Sequence, residues 1–247
     1  MIKNFRQYLI NKYRAIKNVV RLSKMSYEIG LDRIIYIVNL FENEYGHYQS
    51  VRLGKPVDAL LNPIPWYTYP AIEYLKQFDF RDKFIFEYGS GNSSLFWASL
   101  AKNVTSVEIN PEWFQIINES KPNNCKIVLK EDPSEYANFI HTQNQIYDLI
   151  VIDGSYRHKC AVEAIKCLSD NGLIILDNSE RYPKICSLLR THNLIQVDFS
   201  GIGPINYYTW TTSIFYQRKI NLKPSSDKLP QFSIGSLCEE FNDYEKF

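Results

Sequence analysis

The chain has 247 residues, 45% of them hydrophobic, with 28 basic and 27 acidic side chains and a net charge of +1, a composition that provides for a sizeable core and gives no global field to gather nucleic acid. No apolar run approaches the roughly 20 residues that span a bilayer, and the first residues lack the apolar centre of a signal peptide, so a cytoplasmic protein without a transmembrane segment is expected. Five cysteines, odd in number and without a Cys-x-x-Cys pair, argue against a disulfide framework or a zinc site.

Residues 1–27 are basic (Lys3, Arg6, Lys12, Arg14, Lys17, Arg21 and Lys24, with no acid before Glu28), and Ile2, Phe5, Leu9, Ile16 and Val20 recur at helical spacing. The pattern predicts a basic amphipathic helix packed on its own domain or on a second copy, a route to a homodimer; contact with anionic lipid or an acidic partner is the alternative. A second helical pattern covers Leu31 to Glu44. The proline-rich stretch Asn62 to Pro70 forbids a regular helix and carries Trp66, Tyr67, Thr68 and Tyr69, reading either as a lid or as a rigid connector. Ala71 to Phe78 reads as a short helix.

From residue 84 strands and helices alternate. Strands are predicted near 84–88, 104–108, 125–130, 147–152, 172–177, 194–199 and 211–217, with helices near 93–101, 111–119, 134–141, 156–169 and 181–190. Apolar strands joined by helices make a parallel sheet covered on both faces. Only residues 200–210 separate the last two strands, which should pair as a hairpin and leave the last strand reversed. The organisation expected is a helical extension over 1–60, an α/β domain over 61–218 and a tail over 219–247 that is either laid over the surface or partly disordered.

The sheet is organised around Phe84-Ile-Phe-Glu-Tyr-Gly-Ser-Gly-Asn-Ser-Ser94. An apolar strand ends in Glu87 and passes through Gly89 and Gly91 into a helix whose start, at Asn92 and Ser93, presents unpaired N–H groups beside a turn that a ligand can approach closely. The next strand ends in Glu108, where a carboxylate can accept both hydroxyls of a ribose. Glu87-x-Gly89-x-Gly91, then Glu108, then an apolar strand ending in Asp153, resembles the class I S-adenosylmethionine-dependent methyltransferases. The resemblance covers residues 84–217 and implies a Rossmann-like, seven-stranded, mostly parallel sheet with a reversed last strand. It further implies that Glu87 and the Gly89/Gly91 turn hold the amino-acid end of S-adenosylmethionine, Glu108 its ribose and Asp132 its adenine amino group. Pro133 departs from the family pattern, because it lacks the N–H commonly offered to the adenine ring.

Chemistry is expected around Asp153-Gly-Ser-Tyr-Arg157-His158, where a carboxylate, a guanidinium and an imidazole fall within six residues. Asp153 or His158 can take the proton that an acceptor hydroxyl loses on methylation, and Arg157 can fix an anionic substrate. The alternative reading leaves Arg157 and His158 as exposed first-turn residues with Asp153 as a helix cap. Asp153, Asp177 and Asn178 also resemble, in type and approximate position, the magnesium ligands of catechol-type and caffeoyl-coenzyme A O-methyltransferases, although the loop after Asp153 differs. Asn206, Tyr207, Tyr208 and Trp210 can line a pocket for a polar ring such as a sugar; for Tyr208 a place at the edge of the core is preferred.

The expectation is therefore O-methylation of a small hydroxylated acceptor such as a sugar or nucleotide sugar, and not nucleic acid. Asp153-Gly-Ser-Tyr156 resembles only distantly the Asp/Asn-Pro-Pro-Tyr motif of N-methylating enzymes, since both prolines are missing. An NAD-dependent oxidoreductase lacks its third glycine here, and a non-catalytic binding protein with this fold is the remaining alternative.

Overall fold

The structure is a computed structural model that describes Arg14, Lys17 and residues 30–239. Apart from Arg14 and Lys17, which are helical and exposed, the basic helix expected over 1–27 lies outside the described residues. No helix among the described residues is long and apolar enough to cross a membrane.

Seven strands form one sheet: β1 (Phe84–Tyr88), β2 (Asn103–Glu108), β3 (Cys125–Leu129), β4 (Tyr147–Ile152), β5 (Leu168–Leu176), β6 (Ile195–Gly201) and β7 (Trp210–Tyr216). Their order is β3-β2-β1-β4-β5-β7-β6. β1 to β5 run parallel, and β7 is antiparallel to both β5 and β6, so the expected hairpin carries the reversed strand into the sheet beside β5.

The central strands are apolar along their length because both faces are covered. Side chains alternate between two cores: Ile85, Leu149, Val151, Leu173 and Ile175 enter one, and Phe86, Ile150, Ile152, Ile174 and Leu176 enter the other. α3 (Tyr69–Lys76), α4 (Asn92–Leu100) and α5 (Pro111–Ser120) cover the first face; α6 (Pro133–Thr142), α7 (Arg157–Lys166) and α8 (Pro183–Thr191) cover the second. Before them come α1 (Leu31–Asn39), a π-helical turn (Leu40–Glu44) and α2 (His47–Leu53), the last unanticipated.

Local chemistry sets several boundaries. Asn110 and Asp132 cap α5 and α6 by accepting backbone N–H groups, each followed by a proline whose missing N–H costs nothing at that position; such caps contribute about 1 kcal/mol each. The helix expected over 156–169 stops at Lys166, and Leu168 already pairs with Tyr147. Asp170-Asn171-Gly172 disfavours helix, and a β-carbon at Gly172 would meet Leu168 Cδ1 at 2.6 Å, so the strand takes this stretch with a register shift. The helix expected from 181 starts instead at Pro183, after a 3₁₀ turn over Ser179–Arg181, since the residue before a proline avoids helical dihedrals.

Beyond Lys219 the chain lies along the surface as a strap. Asp79 N–H donates to the Lys223 carbonyl at 2.9 Å, Ile234 N–H to Glu73 Oε2 at 2.9 Å, and the Tyr36 hydroxyl to the Gly235 carbonyl at 3.0 Å.

Candidate functional site

Chain parity gathers the acids. Glu87, Asp153 and Asp177 continue the alternation of Ile85, Val151 and Ile175, so all three emerge on the α3/α4 side at the carboxyl ends of β1, β4 and β5. This is where strand order reverses between β1 and β4, the place at which open α/β sheets bind ligands.

Glu87 is almost completely buried. It accepts from the hydroxyls of Ser94 and, at 3.0 Å, of Ser106, its register partner on β2. Burial pushes its carboxyl up to about 7, against the pull of the serine hydroxyls. Above it Gly89 has φ +101°, and a β-carbon there would sit 3.1 Å from Gly154 Cα. At Gly91 the backbone is extended, and its open side faces the Trp113 ring, the nearest contact of a β-carbon at 3.8 Å. The turn is thus bare backbone, as a close ligand requires.

Glu108 shapes that turn. Its Oε2 accepts from Ser90 N–H at 2.8 Å and Ser90 Oγ at 2.9 Å, while Oε1 accepts from Ile109 N–H and Asn110 N–H, each at 2.9 Å. Four donors fill the carboxylate's capacity, so any further donor reaches Glu108 only by replacing one of these bonds. Trp113 Nε1 donates to the Ser90 carbonyl and fixes the loop from outside. Asn92 Nδ2 donates to the Pro56 carbonyl at 2.5 Å, and Ser93 lies half-buried on the first turn of α4. Asp132 is exposed, and its Oδ1 takes Ser134 N–H at 2.8 Å and Glu135 N–H at 2.9 Å as the cap of α6; those two N–H groups hold its carboxyl below the usual range. It lines neither cavity described below.

At the ends of β4 and β5, Arg157 acts as a clamp. Nη2 donates to Asp153 Oδ1 at 2.9 Å and to the Asp153 carbonyl at 2.7 Å, Nε to the Gly154 carbonyl at 2.9 Å, and Nη1 to the Asp177 carbonyl at 2.5 Å. Tyr182 stacks beneath it, 5.0 Å from guanidinium carbon to ring centre. Asp177 Oδ1 accepts from Trp210 Nε1 at 3.0 Å and Thr212 Oγ1 at 2.5 Å. Thr212 Oγ1 in turn accepts Thr68 N–H at 3.0 Å, which ties the proline-rich segment to the site. Burial raises the pKa values of both acids; for Asp153 the Arg157 charge opposes the rise, and for Asp177 the negative charge of Asp153 adds to it.

Asp153, Asp177 and Asn178 line one pocket of ≈ 280 Å³, walled by Trp66, Asn206, Tyr208, Trp210 and Arg181. In the proline-rich segment Tyr67 and Tyr69 are buried, as in a rigid connector, while Trp66 is exposed and walls the small pocket. Tyr208, placed at the core edge by the sequence reading, is 43% exposed at the pocket mouth. Tyr207 points away into solvent, 94% exposed.

His158 is exposed and lines a neighbouring cavity of ≈ 1060 Å³ but not the small pocket. Sequence reasoning passed over Arg181, which borders both cavities, and Trp113 and Ser90 at the glycine turn.

A divalent ion fits the three magnesium-type residues poorly. Arg157 already neutralises Asp153, Arg181 adds a second guanidinium to the wall, and one oxygen of Asp177 is committed to two donors. Among the described residues no group of three or more His, Cys, Asp or Glu side chains is arranged to hold a metal ion.

No protein-family model matches the chain, and no curated protein matches it. Solved structures do. A precorrin-6y C5,15-methyltransferase from Geobacter metallireducens GS-15 superposes with a TM-score of 0.50 at 14% identity, over 60% of this chain and 87% of its own. An rRNA methylase from Streptococcus thermophilus gives a TM-score of 0.43 at 13% identity, over 60% of this chain and 96% of its own. The N-methyltransferase NodS from Bradyrhizobium japonicum WM9, solved with S-adenosyl-L-homocysteine, gives 0.41 at 13% identity, over 56% of this chain and 80% of its own. The strand order with its reversed β7, together with the first of these likenesses, gives the chain the Rossmann-like fold of class I S-adenosylmethionine-dependent methyltransferases.

Proposed function

We propose that the protein is an S-adenosylmethionine-dependent methyltransferase acting on a hydroxyl of a small polar acceptor, with a sugar-like ring as the preferred class. The observation that carries the reading is the convergence, at one strand-order reversal, of a bare glycine turn, Glu108 beside it, and a small pocket floored by Asp153 and Asp177.

When bound, S-adenosylmethionine supplies an electrophilic methyl group on a sulfonium sulfur. The Gly89–Gly91 turn accepts its amino-acid end, and Glu108 exchanges Ser90 for the ribose hydroxyls. Trp66 and Tyr208 offer aromatic faces and Asn206 an amide to a polar ring, as carbohydrate recognition requires. Asp153 is the base at the acceptor oxygen. It is the more accessible of the two acids, and burial makes it more basic than a surface carboxylate. Arg157 positions Asp153 through the 2.9 Å bond and makes no direct claim on the acceptor. His158 takes no part in the small pocket, and no step runs through a metal.

Calorimetric titration with S-adenosylhomocysteine tests the cofactor: micromolar binding that Glu108→Ala weakens at least tenfold is expected, and binding of NADH in its place would overturn the reading. Transfer of labelled methyl to a panel of acceptors tests the chemistry. Transfer to amines alone would refute O-methylation.

A further inference from the structure

The larger cavity, ≈ 1060 Å³, lies over the amino ends of α7 and α8 and carries an unbalanced charge. Arg157, Lys159, Arg181 and Lys184 line it with His158, and none of its lining residues is an Asp or Glu. Two of these cations are answered elsewhere, Arg157 by Asp153 at 2.9 Å and Arg181 by Glu180 at 3.4 Å. Lys159 and Lys184 are in no ion pair among the described residues; Lys159 Nζ rests 5.9 Å from the centre of the Tyr156 ring. Both lysines are exposed to the cavity in a protein whose overall charge is only +1. Neither helix start carries a side-chain cap, so the positive ends of two helix dipoles add to the field.

S-adenosylmethionine does not explain this field. Ile109 and Gly154, beside Glu108 and the glycine turn, border one side of the cavity, where the cofactor can reach, but it has no phosphate and carries a sulfonium cation, so the side built from Lys159, Arg181 and Lys184 is matched to another molecule. Arg181 lines both this cavity and the small pocket over Asp153 and Asp177, and one ligand can therefore reach across it. Resting on the methyltransferase reading above, we infer that the acceptor is phosphorylated: its phosphate or diphosphate group lies between Lys159, Lys184 and Arg181, while its reacting hydroxyl enters the small pocket. Two sources share that chemistry, a simple sugar phosphate and a nucleotide-linked sugar, and the volume of the cavity admits either.

The full-length protein, saturated with S-adenosylhomocysteine, is titrated calorimetrically with inorganic pyrophosphate and separately with uridine diphosphate. Both should bind without displacing S-adenosylhomocysteine. Lys159→Glu and Lys184→Glu should each weaken pyrophosphate about tenfold, the loss of one charge-assisted contact, and leave S-adenosylhomocysteine affinity unchanged. Both substitutions put an acid into the first turn of a helix, where the dipole favours it, so folding is preserved. Tighter binding of uridine diphosphate than of pyrophosphate assigns the phosphate to a nucleotide carrier; equal binding assigns it to a simple ester. Absence of pyrophosphate binding, binding that both variants leave unchanged, or displacement of S-adenosylhomocysteine by pyrophosphate would overturn the inference. Repeating the pyrophosphate titration without S-adenosylhomocysteine judges the anion site by itself, so a failure of cofactor binding counts against the methyltransferase reading alone.

Discussion

Arg157 Nη2 lies 2.9 Å from Asp153 Oδ1, and the same guanidinium reaches the carbonyls of Asp153, Gly154 and Asp177. One side chain thereby joins the ends of β4 and β5. A lysine keeps the charge but cannot present four donors in a plane. Arg157→Lys should therefore lower stability in urea unfolding by about 2 kcal/mol, the loss of charge-assisted hydrogen bonds to the carbonyls with the positive charge retained. Its methyl-transfer rate should fall more than its affinity for S-adenosylhomocysteine, because the glycine turn is untouched.

Glu87 sets a pH dependence. Its folded pKa of about 7 lies above the ordinary 4.5, so between those values the native state holds a proton that the unfolded chain has released. Stability is fully present below about pH 4.5 and declines as pH rises through 7. At roughly 1.4 kcal/mol per pKa unit the decline totals about 3 kcal/mol. Glu87→Gln should flatten the stability profile across this window and be the more stable form at pH 8, as urea midpoints at pH 5 and pH 8 would reveal.

Gly154 admits no side chain. A β-carbon there would lie 2.2 Å from the Tyr136 hydroxyl and 2.8 Å from Gly89 N. Gly154→Ala should destabilise the protein by about 2 kcal/mol and weaken S-adenosylhomocysteine by displacing the glycine turn. Adding Tyr136→Phe should restore part of the stability and little of the affinity, since the clash with Gly89 remains; thermal melts and calorimetry of the single and double variants separate the two effects.

Chelation should be without effect. With two guanidinium groups at the pocket, activity measured after EDTA treatment should stay within about twofold of the untreated enzyme, and added magnesium should not raise it. A loss of tenfold or more, restored by magnesium, would show that Asp153, Asp177 and Asn178 coordinate an ion despite Arg157.

Much of this site was legible along the chain. Apolar runs ending in Glu87, Glu108, Asp153 and Asp177 name strands and their carboxyl ends together, because a fully buried strand has no other composition. Side-chain direction was not legible. Arg157 and His158 are neighbours in sequence and both border the larger cavity, but on a helix each residue turns about 100° from the last, so only Arg157 reaches back to the ends of β4 and β5. Arg181 sits in a 3₁₀ turn too short to show periodicity, and its place between two cavities depends on where β7 enters the sheet. Asp132 shows how one residue type serves two uses: an acid after a strand is equally a ligand and a cap, and the proline behind it favours the cap.

The two-residue pleat also governs which changes in chain length the protein can tolerate. Deleting one residue within Leu149–Ile152 would invert the strand's phase, send Asp153 beneath α7 and leave Arg157 without its carboxylate. Deleting two restores the phase but draws the site back by about 7 Å. Residues 206–208 are under no such arithmetic, since they lie outside the paired strands at the pocket wall, whereas Ile202 and Gly203 are held against Tyr69 and Tyr67. Insertions and deletions should thus be absorbed in the loop that walls the small pocket, while spacing inside β1, β4 and β5 stays fixed; the pocket can be reshaped without moving the carboxylates.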